Sequence, residues 1–275
     1  MFEVPFHFAA PGAPYVVVDA SIGARRHVPT LIDTGDAAPY AVVFTPRLLA
    51  GTQARLTGAT LTSRAVIGPT PMTFRAAMLT SFAVGPLRLE HPATAAAQAV
   101  ESVGHGFETP FEAVAGEVFL RGHRLAIDYR AQRLTFDGPA PNAAATPFSY
   151  APKRPLPLVQ VMVNGAGPFN FVLDTGASLN IVSPAVARAA HLRARRATTL
   201  SGAGGTAHGV RSVADSLVFG TTTRSAVTVT VADVLRGAAA ESGAPIDGVL
   251  SPGALRTRRL TIDFAARRFW LIGSP

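Results

Sequence analysis

The sequence predicts an all-β protein made of two homologous lobes related by pseudo-twofold symmetry, with one short helix in each lobe. Two observations predict it. The chain repeats itself, and within each copy the apolar residues follow a period of two, broken at short intervals by Gly and Pro. The repeat is plainest late in each copy, where Leu125-Ala126-Ile127-Asp128-Tyr129 recurs as Leu260-Thr261-Ile262-Asp263-Phe264, an offset of 263 − 128 = 135. The same offset pairs Glu112-Ala113-Val114 with Asp247-Gly248-Val249, Leu120 with Leu255, and Val84-Gly85 with Phe219-Gly220. Nearer the start of each copy, Leu31-Ile32-Asp33-Thr34-Gly35 matches Val172-Leu173-Asp174-Thr175-Gly176 at 174 − 33 = 141, so the first copy carries six extra residues.

Each element follows in order. Val4-Pro5-Phe6 and Thr146-Pro147-Phe148 are equivalent leaders, each before an alternating strand (Val16, Val18, Ala20, Ile22; then Val159, Val161, Val163). A strand-like apolar run enters each Asp-Thr-Gly, through Thr30-Leu31-Ile32 in the first copy and Phe169 to Leu173 in the second. A short helix is expected soon after, with Thr45 and Ser183 as N-caps and Pro46 and Pro184 at the first helical position, where a missing N–H costs nothing. Val186, Ala189 and Ala190 form its apolar stripe in the second copy. Ser225 to Val231 reads as a further strand. Residues 137–145, rich in Pro, Gly, Asn and Ala, cannot continue a ladder and read as the linker, which puts the lobes at 1–140 and 141–275.

Composition removes several classes of function. At 48% hydrophobic and 15% charged over 275 residues the chain can bury a real core, which excludes wholesale disorder. No apolar run approaches the roughly 20 residues of a membrane-spanning helix. The start lacks a basic segment followed by an apolar one, so no signal peptide is expected in the chain as given; a soluble protein follows, in a compartment the sequence leaves unknown, and a periplasmic or secreted site fits a leader already removed. There is no cysteine, hence no disulfide, thiolate zinc site or cysteine nucleophile. The formal charge is +8, nearly all of the cations being Arg, yet the Arg clusters lack the interleaved aromatics that stack bases, so no nucleic-acid partner is expected. The seven histidines show no metal-ligand spacing; no metal and no cofactor is expected. Gly202-Ala203-Gly204-Gly205-Thr206-Ala207 fits G-x-G-x-x-A only formally, since no βαβ unit surrounds it.

Two Asp-Thr-Gly motifs at equivalent places are the chemical signal. Composition gives about 0.08 chance occurrences of the tripeptide, so a matched pair is far from random. Alone, one such motif reads as a turn in which Asp caps backbone amides. Here each ends a buried strand, where a carboxylate is costly without a partner. Symmetry supplies one, because equivalent positions can meet at an axis. Two carboxylates brought together there share a proton, one acting as base and the other as acid. They could activate a water and polarise an amide carbonyl with no metal or covalent intermediate.

On these residues, and on the later segments Glu112-Ala113-Val114-Ala115-Gly116 and Asp247-Gly248-Val249-Leu250-Ser251 with the closing Ile-Asp-Tyr and Ile-Asp-Phe strands, the chain resembles two-lobed, single-chain aspartic peptidases with retropepsin-like lobes, of the bacterial type. The resemblance implies the acid protease fold, two β-barrel-like lobes enclosing a cleft, with Asp33 and Asp174 as the catalytic pair. Thr34 and Thr175 would bond across the lobes, and Gly35 and Gly176 would complete the loops. Asp36, Ala177, Ser178, Gly202, Gly204 and Gly205 would contact substrate. Asp128 and Asp263 would be surface turn residues. No tyrosine stands between Tyr40 and Tyr129 to serve as a pepsin-type flap tyrosine. Residues 201–206 would form a mobile flap tip in the second lobe, facing only the stiffer Gly68-Pro69-Thr70-Pro71 in the first. Two departures stand out: Ser251 where the pattern has Gly, and Asp36 where it has Ala or Ser. Asp36 either adds a third charge at the cleft wall or turns outward to an arginine such as Arg47. The implied function is an aspartic endopeptidase, active as a monomer on polypeptide in extended conformation. A non-catalytic peptide-binding protein of the same fold is the alternative, and a polyanion-binding module a third.

Overall fold

The computed structural model describes residues 1–10, 13–104, 110–256 and 258–273; His105 lies outside them. Among the described residues the period-two stretches form three sheets. A ten-stranded sheet draws on residues 7–115, an eight-stranded sheet on 149–250, and a six-stranded sheet is shared between the two copies. The shared sheet takes Phe2–Pro5, Arg133–Phe136 and Arg124–Asp128 from the first copy, then Arg258–Asp263, Arg268–Gly273 and Thr146–Pro147 from the second. Its middle strands run antiparallel with Ala126 opposite Thr261, residues that are 135 apart and therefore equivalent. The pseudo-twofold axis passes between them.

This shared sheet is where the two copies fuse. Leu125, Ile127, Leu134 and Phe136 lie on one face with Leu260, Ile262, Phe269 and Leu271, all buried, and they belong to one continuous core with Val16 and Val18 of one lobe and Val159 and Val161 of the other. Burying each such side chain contributes about 1.5–3 kcal/mol, so the lobes are not separable at small cost.

In each lobe the strand leading to Asp-Thr-Gly is interior and has a parallel neighbour: Arg25–Ile32 beside Ala113–Ala115, and Ala166–Leu173 beside Gly248–Leu250. Strands buried on both faces read as unbroken apolar runs, which is what Leu31-Ile32 and Phe171-Val172-Leu173 are. The ladder continues one residue further, with the Asp33 N–H donating to the Ala115 carbonyl and the Asp174 N–H to that of Leu250, both at 3.0 Å. Two equivalent aspartates are thereby fixed at the carboxyl ends of two central strands.

The helix after each Asp-Thr-Gly is present. In the second lobe it spans Pro184–Ala189, and the Ser183 hydroxyl accepts from the Val186 N–H at 3.2 Å. Val186 and Ala190 are buried as expected, whereas Ala189 is exposed. In the first lobe the turn is a 3-10 segment, Pro46–Leu48, running into Leu49–Thr52, and Thr45 makes no capping bond, contrary to expectation. Its tighter coil does not present the N–H groups that an α-helical cap reaches. Each lobe holds two more short helices among the described residues: Gln98–Gly104 and Glu117–Leu120, then Arg236–Ser242 and Pro252–Leu255. With four to seven residues each, they are too short for a 3.6-residue period to register. None of the described helices is long and apolar enough to cross a membrane.

One surface reading is corrected. Asp128 does cap a turn, its Oδ1 accepting from Arg130 and Ala131. Asp263 also caps, through Ala266, but it is buried, and its Oδ2 accepts from Arg124 Nε at 2.9 Å and Nη2 at 2.7 Å. The reason is the register of the shared sheet, which sets Arg124 of one lobe directly opposite Asp263 of the other.

Candidate active site

The two Asp-Thr-Gly loops meet at the axis. The Thr34 hydroxyl donates to the Leu173 carbonyl at 2.7 Å and accepts from the Thr175 N–H at 3.0 Å. The Thr175 hydroxyl mirrors this, donating to the Ile32 carbonyl at 2.8 Å and accepting from the Thr34 N–H at 3.0 Å. Both threonines are wholly buried, so the four bonds form a closed ring away from water. Glycine is required next, because a Cβ on Gly35 would fall on the Asp174 carboxylate and a Cβ on Gly176 on that of Asp33.

The carboxyl groups of Asp33 and Asp174 face each other at the axis, each packed against the glycine of the other loop. Asp33 Oδ1 accepts from the N–H groups of Gly35 (2.7 Å) and Asp36 (3.1 Å), and Asp174 Oδ1 from that of Gly176 (2.8 Å). Burial, and then the charge of Asp174, push the Asp33 carboxyl well above its ordinary range despite its backbone donors. Burial also raises Asp174, to about 6, against the lowering pull of the Gly176 N–H, Asp33 and the Ala177 N–H. The pair thus holds one proton between two oxygens as a unit.

Asp36 lies at the cleft wall. Its Oδ1 accepts from the Ala38 N–H at 3.0 Å, and its carboxyl is raised to about 7 by burial and by the Asp33 charge, with Arg154 pulling the other way. Arg47 is engaged elsewhere, with Glu112 at 2.8 Å and Glu101 at 4.0 Å. The two departures in the sequence are complementary, since 36 pairs with 177 and 116 with 251 in the repeat. A Cβ on Gly116 would press against the Asp36 carbonyl and Oδ2, so the larger side chain needs the glycine. Opposite the small Ala177, Ser251 is tolerated and fully buried, its N–H and hydroxyl both donating to Asn180 Oδ1 at 2.9 and 3.1 Å.

Because the Asp36 charge is one of the influences raising Asp174, Asp36→Ala should lower the carboxyl of Asp174 below about 6. The base form then persists to lower pH, and the acid limb of any pH–rate profile moves down. A kcat/KM profile on one peptide measures it; superimposable limbs for variant and parent would remove Asp36 from the electrostatics of the site.

A cleft of about 300 Å³ opens above the pair. Tyr15, Phe74 and Phe111 of the first lobe and Leu156, Leu235 and Ile246 of the second line its two flanks. Asp33, Asp36 and Asp174 are the charged residues among its described walls. Ala177 and Ser178 line it as expected, and the Ser178 hydroxyl shares a hydrogen bond with the Tyr15 hydroxyl across the lobes. Gly202 lines it too, but Gly204 and Gly205 do not. They are turned away because the first lobe's tip occupies their other side: the Gly204 N–H donates to the Ile67 carbonyl at 3.1 Å and the Thr70 N–H to the Gly204 carbonyl at 3.0 Å. Gly68, at φ +93°, has no room for a Cβ against the Gly204 backbone. The stiff segment of the first lobe is therefore a second lid, carrying Val66 and Ile67 over the cleft.

Tyr15 and Leu156 escaped the sequence reading, although 156 − 15 = 141 marks them as equivalent positions facing one cleft. Among the described residues no group of three or more His, Asp or Glu is placed to hold a metal ion.

Comparison with known proteins agrees with this geometry. Residues 159–252, which include the second Asp-Thr-Gly, match the family described as aspartyl protease. The crystal structure of the aspartic proteinase from Irpex lacteus superimposes with a TM-score of 0.58 at 14% identity, covering 99% of this chain and 97% of that one. No curated protein sequence matches. The chain thus has the two-lobed acid protease fold, and its second lobe carries the sequence pattern of the aspartyl protease family.

Proposed function

We propose that the protein is an aspartic endopeptidase, hydrolysing peptide bonds with a water activated between Asp33 and Asp174. The observation that carries the reading is the facing carboxylate pair, braced across the lobes by Thr34 and Thr175 and set under a largely apolar cleft. The ionised member of the pair takes a proton from the water as it attacks the carbonyl carbon, and the protonated member donates to the carbonyl oxygen as negative charge develops there. The newly acquired proton then passes to the leaving nitrogen as the C–N bond breaks, and a hydroxyl proton of the diol returns to the other carboxylate. Thr34, Thr175, Gly35 and Gly176 hold the two carboxyl groups, so little reorganisation is needed during the reaction. Asp36, Ala177, Ser178 and Gly202 border the path of an extended polypeptide.

The test is incubation with unfolded protein from pH 3 to about 7, spanning carboxylate titration, with and without a transition-state-mimicking aspartic-peptidase inhibitor. Inhibitor-sensitive fragments support the reading. Peptide binding without cleavage at any pH would instead identify a non-catalytic binder.

Both half-sites come from one chain and the two lobes are joined through a shared six-stranded sheet, so the active species is expected to be the monomer. Specific activity should stay constant on dilution while sedimentation gives a monomer mass. A steep loss of activity on dilution would contradict a single-chain site.

A further inference from the structure

The first lobe's tip, residues 64–71, is fastened to the second lobe at two places. One is the junction with Gly204. The other is at its base, where Glu241 of helix Arg236–Ser242 reaches across: Oε1 accepts from the Arg64 N–H at 2.7 Å and Oε2 from the Ser63 hydroxyl at 2.8 Å. Arg154, also of the second lobe, completes the cluster, pairing with Glu241 Oε2 at 2.6 Å and donating from Nη1 to the Ser63 hydroxyl at 3.0 Å. Burial would raise the Glu241 carboxyl, but the Arg64 N–H, the Ser63 hydroxyl and the Arg154 charge outweigh it and hold it below its usual range. Ser63 is buried, and the Glu241 and Arg154 side chains are about three-quarters covered, so these bonds are screened less than those of an open surface pair.

The placement links roof to wall. Leu235 and Ala238, at the start of the segment that carries Glu241, line the second lobe's flank of the cleft, while Val66 and Ile67, just past the bonded Arg64, line it from the first lobe's tip. Among the described residues the second lobe's hairpin has no comparable tie to the first lobe at its base: its strands, Arg196–Gly202 and Gly205–Phe219, pair with each other, and its tip meets the first lobe at Ile67 and Thr70. We propose that Glu241 is a positioning residue for the activity proposed above: with Arg154 it latches the first lobe's tip to the second lobe and sets how closely that tip covers the carboxylate pair. Substrate then enters chiefly by movement of the second hairpin, and the latched tip remains as the fixed half of the roof. The inference rests on the peptidase reading for its kinetic consequence, though the latch itself can be measured without it.

The experiment compares the full chain with Glu241→Ala and Glu241→Gln, following amide exchange of residues 64–71 and peptide cleavage. Glu241→Ala is expected to speed exchange at Arg64 and Thr70 by about tenfold or more, as local opening no longer breaks the latch. It should raise KM by a similar factor of about ten while kcat changes little, because the tip contributes binding and the carboxylate pair is untouched. Glu241→Gln keeps one of the two acceptor oxygens, enough for the bond from the Arg64 N–H or for that from the Ser63 hydroxyl, and should recover part of both effects. Unchanged exchange in Glu241→Ala overturns the latch; faster exchange with KM unmoved overturns the positioning role. If that variant does not fold, Ser63→Ala removes one tie and is read by the same two criteria. A parent that cleaves nothing fails the peptidase reading, while the exchange comparison still decides the latch.

Discussion

Asp33→Asn and Asp174→Asn are each expected to reduce peptide cleavage by about 10²- to 10⁴-fold, the usual contribution of a positioned acid or base. The fold should survive both. Asn keeps a side-chain oxygen at the position where Asp33 Oδ1 accepts from Gly35 and Asp36, and where Asp174 Oδ1 accepts from Gly176. Each change also removes one of two like groups whose burial is already unfavourable, so thermal stability should equal or exceed that of the parent above about pH 6, where Asp174 ionises. The sign follows from the direction of the shifts. Carboxyl groups raised on folding oppose the folded state as pH climbs from their unfolded values through their folded ones, and a neutral amide does not. Measuring kcat/KM and the unfolding midpoint of each variant on either side of pH 6 tests both halves. Near-parental turnover in either variant would take the carboxylate pair out of the mechanism.

What the sequence revealed and what it hid divide along a physical line. Asp33 and Asp174 were legible because the signal is local: three residues closing an apolar run, repeated at a fixed offset. The repeat marked Ile127 and Ile262 as equivalent, but that their strands pair in one shared sheet emerged only from the structure. Ser183 announced its helix through a cap and a proline, both local features. Contacts between distant parts of the chain left no such trace. Glu241 meets Ser63 across 178 positions, and nothing near either residue indicates the other. Asp263 looked like an ordinary turn residue until the register of the shared sheet set it opposite Arg124. The first lobe's tip looked inert because its prolines suggested stiffness, while its role depends on a backbone approach to Gly204 that only the assembled lobes create.

The second large effect is expected at the threonines, where Thr34→Val and Thr175→Val should each destabilise the protein severely with almost no change in shape. Valine fills the volume but removes the hydroxyl. In Thr34→Val the Thr175 N–H loses its acceptor and the Leu173 carbonyl its donor; in Thr175→Val the Thr34 N–H and the Ile32 carbonyl are orphaned. These groups lie inside the protein, so each costs about 1–3 kcal/mol when left unpaired, and each variant leaves two. Against a total stability of about 5–15 kcal/mol, that loss is a large share. The four bonds close on one another, so once one hydroxyl is gone the partner loop can relax, and the double variant should cost less than the sum of the singles. Thr→Ser at either position keeps the hydroxyl and should stay near the parent. Urea unfolding of the two valine variants, the double variant and the serine controls measures every term. Additive losses would mean that the two threonines act as independent local bonds and that the ring does not couple the lobes. Valine losses no larger than those of serine would mean that the hydroxyls are not what holds the two aspartates in register.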